Sequence, residues 1–218
     1  MDLRNKKYIL WDHDGVLVDT EKWYFEATRK ALAELGIQVP LSLYLTFMEE
    51  GRSLWTLAAE HGIPQRAIEK HKARRNACYQ DYLQKKNIEI PWVIRALEKL
   101  SRHFAMAIVT TSKKEDFELI HRGRQIVRYM DFVLTVEDYA KAKPDPEPYM
   151  AALRRYRAVP EEAVVIEDSG RGLKSAVAAG IDCIIVENAF TRTHDFSSAA
   201  ATLRNLDELC GLLLEGTG

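Results

Sequence analysis

Cysteine is scarce and scattered: Cys78, Cys183 and Cys210 are all the chain has. They are odd in number and far apart, with no CxxC pair and no histidine at zinc-ligand spacing, which excludes a disulfide scaffold and a zinc module. All three are expected to be small buried hydrophobes. An excess of one charge is also missing. Lys+Arg 31 against Asp+Glu 32 gives a formal charge of −1, so no long-range field draws the chain to nucleic acid or an anionic membrane. No apolar run approaches the roughly 20 residues of a membrane helix, and residues 1–7 lack the apolar stretch of a secretory signal. A soluble, cytoplasmic protein without nucleic-acid or membrane partners is expected. Internal repeats and low-complexity tracts are absent. What is there is 47% hydrophobic and 29% charged content over 218 residues, enough for one large domain or a domain carrying a smaller insert.

Five short apolar runs read as buried strands: Tyr8-Ile9-Leu10-Trp11, Ala105-Met106-Ala107-Ile108-Val109, Phe132-Val133-Leu134, Ala163-Val164-Val165-Ile166 and Cys183-Ile184-Ile185-Val186. They lack strict alternation, as strands covered on both faces do. Helical periodicity separates the later ones, at Met150, Leu153 and Tyr156 and at Leu173, Ala176 and Val177. Strand and helix alternate, which predicts an α/β, doubly wound (Rossmann-like) parallel sheet. One interval is too long. A βαβ unit takes on the order of 30 residues, yet the first strand ends near Asp12 and the second begins near Ala105. The surplus carries a stripe at Trp23, Ala27, Ala31 and Leu35, a second at Leu54, Leu57 and Ala58, and a weaker helix from Pro64 towards Asn87. It reads as an inserted helical domain over residues 20–90, with residues 1–19 and 91–218 forming the core. Pro91 is expected to open the returning helix, with Val93, Ile94, Leu97 and Leu100 inward.

Ligands of a doubly wound sheet bind beyond the carboxyl ends of its strands, and those ends are polar here. The first strand runs into Asp12-His13-Asp14-Gly15, the second into Thr110-Thr111-Ser112, the fourth into Glu167-Asp168-Ser169, and Lys143-Pro144 lies between the third and fourth. If these tips converge, four carboxylates surround one lysine, which requires a divalent cation. All-oxygen ligands favour Mg²⁺. Each segment has a plainer explanation alone: a turn for Asp12–Gly15, a helix cap for Glu167–Ser169, a stiff helix entry for Lys143–Pro148. Four such segments in one order are not explained that way. Gly170-Arg171-Gly172 lacks the third glycine of a dinucleotide fingerprint, and Gly172-Leu173-Lys174-Ser175 lacks the spacing of a phosphate loop. The basic run Lys70–Arg75 reads as a solvated helix face. The histidines form no ligand set, and His13 is expected to point away from the nucleophile, with a polar contact to the insert left open.

In order and spacing, Asp12–Thr20, Thr110, Lys143-Pro144 and Val164–Ser169 resemble the motifs of the haloacid-dehalogenase-like hydrolase superfamily, in its capped phosphatase and β-phosphoglucomutase-like branch. The resemblance implies that Asp12 is a nucleophile forming an aspartyl-phosphate, Asp14 the general acid and base, Thr110 a phosphoryl ligand and Lys143 its counter-charge. It also implies a Mg²⁺ site from Asp12, Asp168 and the backbone carbonyl of Asp14, with Glu167 a ligand or the holder of a metal-bound water. Residues 20–90 then look like the cap, expected to close as a lid. Thr20, Thr111 and Arg52 are the candidate substrate-binding residues. Related dehalogenases and phosphonate-cleaving enzymes lack an aspartate at the position of Asp14, so phosphoryl transfer is expected. Related mutases keep a cap histidine where this chain has Tyr24, so the expected function is a phosphatase of a small phosphorylated metabolite; the alternatives are a sugar-phosphate mutase and a non-enzymatic phosphoacceptor. Sugar phosphates, phosphoglycolate, nucleotides and pyrophosphate all stay open as substrates, as do monomer and dimer.

Overall fold

Residues 3–215 are described by a computed structural model; residues 1–2 and 216–218, the ends of the expected core segments, lie outside the described residues. β1 (Tyr8–Trp11) has no polar face to keep outward, and Ile9, Leu10 and Trp11 are fully buried. β2 (Ala105–Val109) and β4 (Ala163–Glu167) flank it in parallel, with Trp11 level with Ile108 on one side and Ile166 on the other. β3 (Phe132–Leu134) pairs outside β2, while β5 (Asp182–Val186) and β6 (Ala201–Leu203) follow outside β4. The result is one six-stranded parallel sheet in the order β3-β2-β1-β4-β5-β6. This is the doubly wound α/β fold that the strand–helix alternation predicts. Its order reverses between β1 and β4, and a crevice opens beyond the strand ends at such a point.

The chain divides into two compact units, Met1–Asp19 with Glu89–Gly218, and Thr20–Ile88. A bridge between Val18 and Glu89 ties the points where the first unit is left and re-entered. The second unit consists of α1 (Glu21–Ala33), α2 (Leu41–Glu49), α3 (Trp55–Glu60) and α4 (Gln65–Lys85). α1 packs along α4, with Tyr24 edge-on to Tyr79 at 5.2 Å. The inward face of α1 is Phe25, Ala27, Thr28, Ala31 and Leu32, so the expected stripe is right at Ala27 and Ala31 and off at the half-buried Trp23 and Leu35. α2 carries no readable stripe because apolar residues occur on all its sides; only Tyr44 and Phe47 are buried. In the basic run of α4, Arg74 pairs with Glu34 at 2.7 Å and Arg75 lies 4.3 Å over the Tyr24 ring.

In the first unit α5 (Val93–Leu100) starts two residues after Pro91, because Trp92 takes a left-handed conformation with φ 70°. α6 (Lys114–His121), α7 (Glu147–Tyr156), α8 (Gly170–Ala178) and α9 (Leu206–Glu215) complete it. The expected inward residues Leu173 and Ala176 are buried, but Ile94, Met150 and Val177 are exposed, while Ala96 and Tyr149 are buried in their helices. Adjacent helix positions differ by about 100° around the axis, and a stripe read one position off turns outward. β6 has no buried residue, which is why no apolar run announces it. Cys183 and Cys210 are buried as expected, whereas Cys78 is only half-buried. Among the described residues no helix is long and apolar enough to cross a membrane.

Candidate active site

The strand register brings the polar tips level. Asp12 follows β1 and its N–H donates to the Ile166 carbonyl at 2.8 Å; Thr110 follows β2 and its N–H donates to Leu134 at 2.9 Å; Glu167 closes β4. Lys143 enters from the segment before α7. Its Nζ donates to Asp12 Oδ1 at 2.6 Å, to Glu167 Oε1 at 2.8 Å and to the Val109 carbonyl at 2.9 Å. An ammonium has three donors, and all three are matched in a side chain only 3% exposed.

Burial pushes the Asp12 carboxyl up to about 7, helped by the negative Glu167 and opposed by Lys143. Burial would also raise Glu167, but Lys143, Tyr149 and Ser169 hold it below the ordinary carboxylate value. Lys143 is itself raised, because Asp12 and Glu167 outweigh its burial. Glu167 Oε1 accepts from Lys143 and from Tyr149 Oη at 2.9 Å; Oε2 accepts from the N–H groups of Asp168 and Ser169 at 3.1 and 3.2 Å and from Ser169 Oγ at 3.0 Å. Five donors meet the roughly four lone-pair sites of a carboxylate. α8 passes so close that a Cβ on Gly172 would collide with this group. Ser169 also accepts from Gly172 N–H at 3.0 Å, so the helix-cap reading of this segment holds alongside the functional one.

Asp14 sits in a turn that Gly15 makes with φ +85°, at a place where a Cβ would run into the Asp168 carboxylate. Two hydroxyls donate to Asp14 Oδ2, Ser112 Oγ at 2.6 Å and Thr110 Oγ1 at 3.3 Å, and His13 Nδ1 lies 3.2 Å from the same oxygen. The side-chain amide of Asn188 donates to Asp168. Asp12, Glu167 and Asp168 each present a carboxylate oxygen, and these lie within 4.8 Å of one another. This all-oxygen donor set fits a small divalent cation, and an acidic excess around Lys143 is the electrostatic reason to hold one.

Of the expected site residues, the first unit brings together Asp12, Asp14, Thr110, Lys143, Glu167 and Asp168, with Thr111 half-buried beside Thr110. Thr20 and Arg52 belong to the second unit. Thr20 is buried at the head of α1, its carbonyl accepting from Trp23 and Tyr24 N–H at 3.0 Å. Arg52 is half-exposed, paired with Glu50 at 2.9 Å and lying 4.4 Å over the Phe47 ring. Sequence reading missed Ser112, Tyr149, Asn188 and His121 as partners of these groups. Ser112 and Asn188 follow strand ends and could have been found by the rule that found Thr110; Tyr149 reads only as a core aromatic. His13 is fully buried, and within its own unit its polar contacts are to Asp14 and His121.

This arrangement is that of a known class. The haloacid dehalogenase-like hydrolase family matches residues 9–186, and the chain belongs to it. It is 32% identical to a phosphorylated carbohydrates phosphatase of Thermotoga maritima, over 95% of this chain and 98% of that one. It is 25% identical to a validoxylamine A 7'-phosphate phosphatase of Streptomyces hygroscopicus subsp. limoneus, over 93% and 95% of the two chains. The crystal structure of CbbY from Rhodobacter sphaeroides in complex with phosphate matches with a TM-score of 0.79 at 25% identity, covering 94% of this chain and 96% of that one.

Proposed function

We propose that this phosphoric monoester hydrolase is a Mg²⁺-dependent phosphatase of a small phosphorylated carbohydrate or related metabolite, acting through an aspartyl-phosphate on Asp12. The observation that carries the reading is two carboxylates of one loop held for different work: Asp12 on Lys143 at 2.6 Å, and Asp14 on Ser112 at 2.6 Å. In the first step an Asp12 carboxylate oxygen attacks phosphorus, the bond to the leaving oxygen breaks, and Asp14 gives that oxygen a proton. In the second, water attacks phosphorus, the bond to Asp12 breaks, and Asp14 takes the proton from water. Ester and water become alcohol and phosphate, and both aspartates return to their starting states. Thr110 and Thr111 would donate to the phosphoryl oxygens, and Lys143 would offset their charge.

Asp12, Asp168 and the backbone carbonyl of Asp14 would hold the ion. Bound there, it supplies positive charge against the phosphoryl oxygens. Glu167, with five donors on its two oxygens, would anchor Lys143 instead of binding metal directly. Phosphate release is expected to stop in excess chelator and to return with Mg²⁺, while Ca²⁺, larger and less demanding of octahedral geometry, supports little turnover. Full activity in chelator overturns the metal assignment. A screen of phosphorylated carbohydrates for Mg²⁺-dependent phosphate release tests the substrate class, which the T. maritima relative's name supports.

Tyr24 favours a phosphatase over a mutase. It stands where related mutases keep a histidine, under Arg75 and against Tyr79, and it lacks the imidazole that suits a proton carrier at neutral pH. Arg52 is proposed as a specificity residue. Its half-exposed guanidinium is held only by surface contacts, so Arg52→Ala should cost within about 0.5 kcal/mol of stability. Its effect should fall on substrate ranking, about tenfold between phosphorylated carbohydrates, with hydrolysis of a small aryl phosphate little changed. Equal losses on every substrate would make Arg52 structural.

A further inference from the structure

His13 Nε2 faces His121 Nε2 at 2.9 Å, and His13 Nδ1 lies 3.2 Å from Asp14 Oδ2. Phe117 flanks both imidazoles, with ring centroids 4.9 Å from His13 and 4.3 Å from His121. With the exchangeable proton of Asp14 on Oδ1, Oδ2 only accepts, so His13 carries its hydrogen on Nδ1. One hydrogen then sits between the two facing Nε2 atoms. If it belonged to His13, that ring would be a buried cation, and His121 would carry its own hydrogen on Nδ1, a buried atom to which no described residue offers an acceptor. A buried orphan N–H is the rarer and costlier fault. If it belongs to His121, both rings are neutral and the unmatched atom is a bare lone pair. Burial, with the Arg124 charge nearby, holds His121 below its ordinary value, in keeping with a neutral ring.

The chain of donors is therefore one-directional: His121 Nε2–H to His13 Nε2, and His13 Nδ1–H to Asp14 Oδ2. We propose that His121 is a positioning residue for Asp14, acting through His13. Without the N–H of His121, His13 Nε2 is a buried lone pair with no donor, and nothing fixes the ring so that its Nδ1–H stays on Asp14 Oδ2. With it, His13 and Ser112 both donate to Oδ2 when Thr110 turns its hydroxyl to the phosphoryl group, and Oδ1 becomes the oxygen that gives and takes the proton. The inference rests on the reading of Asp14 as the proton-transfer group.

His121→Phe keeps the packing on Phe117 and removes the donor. It should lower kcat about tenfold, the worth of one lost hydrogen bond to this chain, with KM within about twofold. His121→Gln, whose amide reaches as far as Nε2, should restore most of that loss. Combined with Asp14→Asn, His121→Phe should cost nothing further, because a group that acts through Asp14 has nothing left to position. Nitrogen NMR of the unchanged protein gives a readout independent of activity and of any variant's folding: His13 should carry its hydrogen on Nδ1 and His121 on Nε2. The reverse assignment, normal kcat in His121→Phe, or an additive loss in the double variant overturns the proposal. Full activity of Asp14→Asn overturns instead the reading of Asp14 on which it rests, so the two failures are told apart.

Discussion

Asp12→Asn is expected to abolish turnover. The substitution removes the attacking oxygen's charge, takes away a carboxylate of the proposed cation site, and replaces the partner that Lys143 meets at 2.6 Å. Asp14→Asn should fail differently. Its amide oxygen still accepts from Ser112 and Thr110, and its backbone carbonyl is unchanged, so the fold and ligand binding persist while the rate falls on the order of 10² to 10⁴, the usual worth of positioned acid–base catalysis. An aryl phosphate with a good leaving group needs little protonation in the first step. Asp14→Asn should then become phosphorylated and stay so, since no base activates water. Mass spectrometry of that adduct should find phosphate on Asp12. Phosphate on Asp14, or full activity in Asp12→Asn, would falsify the mechanism.

Lys143→Met should have the largest effect on stability. It keeps the aliphatic stem and deletes the ammonium, leaving Asp12 and Glu167 facing each other in the core and the Val109 carbonyl without its 2.9 Å donor. Breaking a buried pair by removing one partner costs about 3–5 kcal/mol, which for a chain of this size lowers the melting midpoint by roughly 6–20 °C. The pH dependence has a definite sign. In the variant, a carboxyl of the pair binds its proton more tightly folded than unfolded, so the folded state holds more protons and stability rises as pH falls. Melting at pH 5.5 and pH 8 checks this: the deficit against the unchanged protein should be smaller at the lower pH. A deficit below about 1 kcal/mol at pH 8 would mean that Lys143 does not hold the cluster together.

The residues of the first unit's site were largely legible because a parallel strand covered on both faces is an apolar run with an abrupt end. Asp12, Thr110 and Asp168 announce themselves as the first polar residues after β1, β2 and β4. Lys143 has no such marker: it stood out as a lysine beside proline between the third and fourth strands, among four carboxylates, and its role came from the family resemblance. What stayed hidden depends on contacts made across the fold. Tyr149 reaches Glu167 from α7, Asn188 reaches Asp168 from beyond β5, and His121 reaches His13 across 108 positions of sequence. Each looks alone like an ordinary core or loop residue. The same limit explains Ile94, Met150 and Val177, apolar residues whose outward direction is set by the neighbours of their helix. α2 was missed for the opposite reason, having too many apolar positions to define a face.

The Val18–Glu89 bridge makes the intervening segment, in the language of chain statistics, a closed loop with pinned ends. The entropy of bringing two such ends together grows only with the logarithm of the length between them, so doubling the loop adds about 0.6 kcal/mol. A host sheet with its exit and re-entry joined in this way is nearly indifferent to how much chain is threaded between them. Changes of length between residues 20 and 88 should then leave the pairing of β1 with β2 and β4 in register, since the bridge holds the exit beside the re-entry whatever lies between.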